Sequence, residues 1–429
     1  MKKVAVGISG GVDSAVAALL LKGQGYDVTA VHLYCWPPKS EVEKDGGPAE
    51  SYAIRRAGWI KKNGCRADED RTFALKTALD LEIPFTVLDF SEEYNSKVIK
   101  YFYDEYEAGR TPNPDVMCNS EIKFGMFLNW ALENEFDYIA TGHYAKLYGE
   151  QTNIMPAAYT PLAPDEIFRP ATEFSGSQCL ESPLATPAQR TLQNPVAKGI
   201  GSGTIGLFIP KDKHKDQTYF LWKLTQKELK HTLFPLGEYS KNEVRELAEN
   251  AKLSVAKRKD SQGICFVGNV DARDFLSRRL KEKPGKVFDI HGEEIGKHEG
   301  VWFYTIGQRG GWEILPSAQR KSARNGVTPV FYVVAKDAKK NILTVAEESE
   351  AGGDQFEVSE INKISKTVWN LDHLIVRIRH GGELIGARGM ETAGGMLVIL
   401  DKEIRGIASG QSAVFYGEDG ECLGGGVIA

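Results

Sequence analysis

With 429 residues, 42% of them hydrophobic and 26% charged, the chain is too long for one ordinary core and too apolar for wholesale disorder; roughly two to four domains are expected. Its 53 basic and 58 acidic side chains leave a formal charge of -5, so a polyanionic partner would have to meet a local patch rather than the whole surface. The apolar run VAVGI after two lysines is too short for a signal-peptide core and no window approaches a membrane span, which predicts a cytoplasmic protein with no membrane partner.

From Lys2 to about Tyr144, apolar strands alternate with amphipathic stretches. VAVGI is followed by a helix from Val12 to Leu21, then by the strand DVTAVHLY, a polar loop, a helix from Thr72 to Leu81 and the strand PFTVLDF. A helix from Ile122 to about Glu133 and the strand FDYIATGHY complete the set. This alternation predicts an α/β fold with a doubly wound parallel sheet, whose ligands gather outside the carboxyl ends of the strands. Residues 150–210 are rich in Pro, Gly and Ser and read as an irregular insertion, while DQTYFLWKLTQKELKHTL and KNEVRELAENAKL carry helical spacing. Beyond Pro284 short alternating strands punctuated by Gly and Asp predict a small central domain and a C-terminal barrel-like domain, with divisions at 1–275, 276–350 and 351–429.

Between the first strand and helix lies SGGVDS, Ser9 to Ser14. Gly10 and Gly11 permit a tight turn, the helix directs its free amides at the loop, and Ser9 and Ser14 add hydroxyl donors, which together make an anion cradle. A Walker loop would carry a lysine against the outer phosphates; here Asp13 and Ser14 stand instead. That points to chemistry at the inner phosphate with pyrophosphate leaving, and to Asp13 as a Mg2+ ligand. The alternative is a helix cap in which Ser9, Asp13 or Ser14 merely satisfies orphan amides. Gly201, Gly203 and Gly206 spell a dinucleotide-type G-x-G-x-x-G, but without the strand and helix that such a site requires, and they read as a loop.

Six cysteines are too sparse for a disulfide scaffold. Cys35, Cys65, Cys179 and Cys422 read as small buried hydrophobes. Cys118 differs because Pro112 and Pro114 stiffen the segment before it, displaying Asn113, Asp115 and Cys118 on a turn. Cys265 differs because Lys257, Arg258 and Lys259 precede it, and basic neighbours raise the thiolate fraction.

Taken together, SGGVDS, TPNPDVMCN, TGHY, KDQTYFL, KDSQGICF, TIGQR and GQSAVFY...CLGGG resemble the bacterial tRNA-specific 2-thiouridylases, members of the N-type ATP pyrophosphatase (PP-loop) superfamily. The resemblance runs from residue 2 to the C-terminus except in the insertion, which is longer here than the family's usual link. It implies conversion of the wobble uridine of tRNAs for Lys, Glu and Gln to 2-thiouridine, with ATP and Mg2+ required and a sulfur-relay protein or cysteine desulfurase as donor. Carried onto this chain, Gly7, Ile8, Ser9, Gly10, Gly11, Val12, Asp13, Ser14, Leu33 and Gly142 would hold ATP. Asn113, Pro114, Asp115, Lys215, Asp216, Gln217, Arg379 and His380 would meet tRNA, although Lys215 is also readable as a solvated charge and Arg379 as an exposed strand residue.

The resemblance leaves two mechanisms open. In one, Cys265 carries a persulfide and Cys118 is the partner thiol that forms a disulfide with it, with Asp115 orienting the base or moving a proton. In the other, Asp115, Cys118 and Cys265 ligate a [4Fe-4S] cluster that binds exogenous sulfide. Rival functions are a PP-loop enzyme acting on a small molecule and an inactive tRNA-binding scaffold.

Overall fold

Val4, Ala5 and Val6 have no exposed surface, as expected of a strand covered on both faces. The computed structural model describes residues 1–44, 51–63, 65–149, 204–259, 272–316, 330–365 and 368–429. Strand β1 (Lys3–Gly7) pairs in parallel with β2 (Asp27–Tyr34) on one side and β4 (Tyr138–Ala140) on the other. Adding β3 (Phe85–Asp89) and β7 (Thr232–Leu233) gives the all-parallel order β3-β2-β1-β4-β7. Strand alternation splits the core: Ala5, Val31 and Leu33 face one apolar cluster, while Val4, Val6 and Ala30 face another built on helix α1 (Val12–Gly23). The predicted doubly wound sheet is therefore present, with both faces covered.

Several local expectations are corrected. The helix predicted from Thr72 runs Ala67–Asp80, because Asp68, Glu69 and Asp70 suit its first turn. The helix predicted from Ile122 begins earlier, as Pro114–Met117, continues as a π-helical stretch Cys118–Met126 and ends as Phe127–Glu133. DQTYFLWKLTQKELKHTL is not one helix: it folds into a 3-10 turn at Thr218–Phe220, one helical turn at Gln226–Leu229, and β7. Its spaced apolar residues, Tyr219, Leu221, Trp222 and Leu224, are buried by tertiary packing rather than by helical periodicity.

The central sheet has the order β10-β9-β8-β12-β11, from β8 (Gly285–Asp289), β9 (Glu294–His298), β10 (Glu313–Ile314), β11 (Phe331–Asp337) and β12 (Ile342–Glu347). The C-terminal strands β13 (Gly352–Lys363), β14 (Leu374–Arg377), β15 (Ile385–Thr392), β16 (Gly395–Arg405), β17 (Ser412–Tyr416) and β18 (Glu421–Ile428) form an antiparallel sheet that β13 closes against β18. That is the predicted barrel, closed so that no long edge stays open. It also receives two strands from the first domain, β5 (Lys146–Gly149) and β6 (Ile205–Phe208), through pairing of β6 with β18. Residues 205–208 were expected to belong to the irregular insertion. They form a strand because β5 and β18 flank them, and Gly206 thus sits in a strand rather than in the expected loop. The rest of the insertion, with Cys179, Gly201 and Gly203, lies outside the described residues.

Candidate active site

Strand order reverses at β1, whose neighbours β2 and β4 follow connections on opposite sides, so a crevice opens beyond the carboxyl ends of β1 and β4. A cavity of about 500 Å³ occupies it. Its wall includes Gly7 to Ser9, Gly11 to Ser14, Leu33 and Gly142 from the predicted nucleotide set, together with Asp115, Lys215, Gln217 and His380. Residues from four separate motifs thus share one enclosure.

The loop holds its shape through its own serines. The Ser9 amide donates to Ser14 Oγ at 3.1 Å, the Gly11 amide to Ser9 Oγ at 3.3 Å, and Ser14 Oγ to the Gly11 carbonyl at 3.2 Å. The helix cap is Gly11 itself, with no side-chain cap bond, so simple capping does not account for these hydroxyls. Gly10 has φ +81°, and a Cβ there would stand 2.3 Å from the Asp70 carbonyl oxygen. Gly142 is equally constrained, since its Cβ would lie 2.7 Å from the Ser14 amide nitrogen. Only glycine lets TGHY press against the first turn of α1.

Two cations from distant segments complete the loop. Arg258, whose side chain is 8% exposed, donates to the Gly10 carbonyl at 2.6 Å, pairs with Asp70 at 2.5 Å and lies 4.3 Å from the Phe73 ring centroid. Arg258 is one of the three basic residues expected to raise the thiolate fraction of Cys265, which lies outside the described residues. Lys241, the first residue of the helix Lys241–Asn250, donates to both Asp13 carboxylate oxygens at 2.7 and 2.9 Å, and Tyr144 Oη donates to one of them at 2.9 Å. Asp13 was expected to hold Mg2+, but its carboxylate is already compensated by an ammonium. A lysine absent from the loop's own sequence is thus supplied beside it by another helix.

Asn113 and Pro114 start the helix that carries Asp115: Asn113 Oδ1 accepts from the Val116 amide at 3.4 Å, and Pro114 takes the first helical position. Asn113 is buried, so its expected display toward tRNA is not seen; the cap and the barrel enclose it. Asp115 faces the cavity, whereas Cys118 has 0% exposure and packs in the core. Cys118 was expected on an exposed turn; the helical continuation rotates it inward. It opens the π-helical stretch, a distortion frequent at functional sites.

In the KDQ motif, Asp216 is 2% exposed, with Arg377 Nη1 donating to it at 2.5 Å and Thr218 donating from backbone and hydroxyl. Gln217 exchanges hydrogen bonds with the Tyr144 backbone, accepting from its amide at 2.9 Å and donating to its carbonyl at 3.1 Å. Both residues expected to meet RNA are therefore engaged internally: Asp216 joins the motif to the barrel and Gln217 fixes TGHY. His380 and Arg379 diverge, His380 onto the nucleotide cavity with its ring 4.5 Å from that of Phe220, and Arg379 onto a separate cavity of about 890 Å³ between the central domain and the barrel. Burial lowers the His380 pKa despite the opposing field of Asp216.

Three histidines not singled out from sequence, His32, His143 and His214, also line the cavity. His143 shares a 2.8 Å hydrogen bond with Thr141 Oγ1, and burial followed by nearby Lys123 holds its pKa well below the ordinary value, keeping it neutral. His32 bonds the Ile8 carbonyl oxygen at 3.0 Å and is likewise lowered by burial. His143 and Tyr144 stand inside TGHY and were readable as polar groups; Lys241 had no local signal. Among the described residues, no cluster of three or more His, Cys, Asp or Glu is arranged to hold a metal, and no helix is long and apolar enough to cross a membrane.

An open parallel sheet with a glycine loop at its switch point, Gly142 against the loop and a cation on Asp13 define an α/β nucleotide-binding protein. Residues 2–159 and 196–269 match the family described as tRNA methyl transferase HUP domain, 273–347 the tRNA methyl transferase PRC-barrel domain, and 354–428 the aminomethyltransferase beta-barrel domain. A protein of Lactococcus lactis subsp. cremoris (strain SK11) named tRNA-specific 2-thiouridylase MnmA is 36% identical, over 99% of this chain and 94% of its own length. The protein of that name in Lacticaseibacillus paracasei (strain ATCC 334) is also 36% identical over 99% and 94%. An NMN synthetase from Francisella tularensis, aligned over 61% of this chain and 66% of its own at 12% identity, has a TM-score of 0.29, too low to carry an argument. This chain belongs to the tRNA-specific 2-thiouridylase family.

Proposed function

We propose that the protein uses ATP to replace the C2 oxygen of the wobble uridine in tRNA with sulfur. The observation that carries this reading is the shared cavity: the SGGVDS loop forms one wall and Asp115, two positions from the Asn113 cap, forms another. Uracil C2 carries a poor leaving group. Attack of the C2 oxygen on the α-phosphorus of ATP breaks the bond to the β-phosphate, and the loop amides and serine hydroxyls receive the departing pyrophosphate. Arg258 and Lys241 hold the loop and Asp13 in place during this step.

Sulfur follows from a persulfide on Cys265, loaded by a sulfur-relay protein or cysteine desulfurase. Cys118 thiolate attacks the Cys265 sulfur, forming a disulfide and expelling hydrosulfide; hydrosulfide adds to C2 and AMP leaves; a thiol reductant then restores both cysteines. Cys118 reaches that role from a core position, so this step requires the Pro114–Met117 turn to shift. Mg2+ would enter with the phosphates, and no step is assigned to it at Asp13, whose oxygens Lys241 occupies. In the alternative sulfur route Asp115, Cys118 and Cys265 would hold an iron-sulfur cluster able to bind sulfide, and iron quantitation after anaerobic purification separates the two. The test of the adenylation step is pyrophosphate release from ATP by the purified protein. Release that depends on unmodified tRNA supports the reading, and ADP formation sinks it.

A further inference from the structure

The motif GQSAVFY carries no role in the mechanism above, yet its first residues touch the segment that delivers Asp115 and Cys118. Thr111-Pro-Asn-Pro114 is poor in its own backbone donors, because two of its residues are prolines, so its carbonyls depend on donors from elsewhere. The barrel provides them. Gln411 Nε2 donates to the Thr111 carbonyl at 3.2 Å and to the Pro112 carbonyl at 3.0 Å, across 300 and 299 positions of sequence. In return the Thr111 amide donates to the Ser409 carbonyl at 2.8 Å.

Gly410 makes this approach possible. Its φ is +89°, and a Cβ would come within 2.9 Å of the Thr111 carbonyl oxygen. The turn is itself anchored, with the Gly410 amide donating to the Ile428 carbonyl and the Ile428 amide to the Gln411 carbonyl, each at 2.8 Å. Ser412, the next residue, accepts from Trp222 Nε1 at 2.9 Å through its hydroxyl and from Tyr219 Oη at 3.0 Å through its carbonyl. The segment after KDQ and the segment before Asp115 therefore rest on one turn.

We propose that the turn Ser409–Ser412 of the C-terminal barrel is a positioning element of the active site, in which Gln411 sets the conformation of the segment delivering Asp115 and Cys118. The proposal rests on the thiolation reading for its kinetic consequence, not for its geometry. Barrel and nucleotide domain then act as one catalytic unit.

The test compares wild type with Gln411→Ala and Gln411→Glu, the second preserving size while turning a carboxylate toward two carbonyls. Both variants are first matched to wild type by thermal unfolding. Loss of two hydrogen bonds predicts that kcat for tRNA thiolation falls about tenfold in each, with KM for tRNA within about twofold. Iodoacetamide labelling of Cys118 in the native protein, read by mass spectrometry, rises several-fold, to about tenfold at most. Wild-type kcat and wild-type Cys118 labelling in both variants would overturn the proposal, as would a loss confined to KM. If wild type forms no thiouridine, the functional reading fails, while Cys118 labelling, which needs no turnover, still decides the role of Gln411.

Discussion

Replacing Arg258 by alanine removes four interactions at once: the bond to the Gly10 carbonyl, the pair with Asp70, a longer ion pair with Glu69 at 3.5 Å and the stacking on Phe73. A hydrogen bond involving a charged group contributes about 1.5–3 kcal/mol, and breaking a fully buried pair costs about 3–5 kcal/mol. Asp70 keeps 30% side-chain exposure and can be rehydrated, so the lower part of that range applies. The expected loss of stability is about 2–3 kcal/mol. The Gly10 turn also loses its external donor, which weakens ATP binding by about tenfold, or roughly 1.4 kcal/mol. Arg258→Lys recovers only part of both, because one ammonium cannot span a carbonyl and a carboxylate with the geometry of a guanidinium fork. Lys257→Ala, an exposed neighbour, is the control and changes stability by less than about 0.5 kcal/mol. Urea denaturation and calorimetric ATP titration read the two effects. Wild-type stability and ATP affinity in Arg258→Ala would refute the view that this residue serves the loop.

Gly142→Ala drives a methyl into the first turn of α1, so ATP affinity drops by at least about tenfold and stability by about 1–3 kcal/mol, by the same titration and denaturation. Lys241→Met leaves Asp13 with Tyr144 alone; the freed carboxylate lowers the Mg2+ concentration needed for half-maximal pyrophosphate release, and an unchanged Mg2+ requirement would show that Lys241 does not compete for it. Lys336, on β11, donates to the Tyr304 carbonyl at 2.8 Å, and burial lowers its pKa to about 8 from 10.5. Between those values the unfolded chain holds more protons, so stability rises with pH from about 8 to 10.5, and Lys336→Met abolishes that rise and stabilises the protein at pH 7 in urea titrations at pH 7 and 9.

The nucleotide loop was legible because its determinants are local: a strand, two glycines and a helix start within a dozen residues. Gly142 was legible only through its motif, and its physical reason, contact with Ser14, became visible with the fold. Burial was the least readable quantity. Asp216 looks like a surface charge in KDKHKDQ, but Arg377, 161 positions away, draws it inside. Cys118 follows a stiff proline segment that suggested display, whereas the Asn113 cap and helical continuation turn it toward the core. Residues 205–208 look like loop because a four-residue strand among glycines has no signal of its own and exists through β5 and β18. Lys241 begins an ordinary amphipathic helix, and nothing local says that its ammonium reaches Asp13.

The central claim is sulfur for oxygen at a tRNA uridine, although the matching family carries a methyltransferase description. The direct measurement is nucleoside mass spectrometry of unmodified tRNA after incubation with the purified protein, ATP and an isotopically labelled persulfide donor. The account predicts 2-thiouridine carrying the label, with one AMP and one pyrophosphate released per thiouridine formed. Unlabelled uridine throughout, or a methylated uridine formed without ATP when S-adenosylmethionine is supplied, would contradict it.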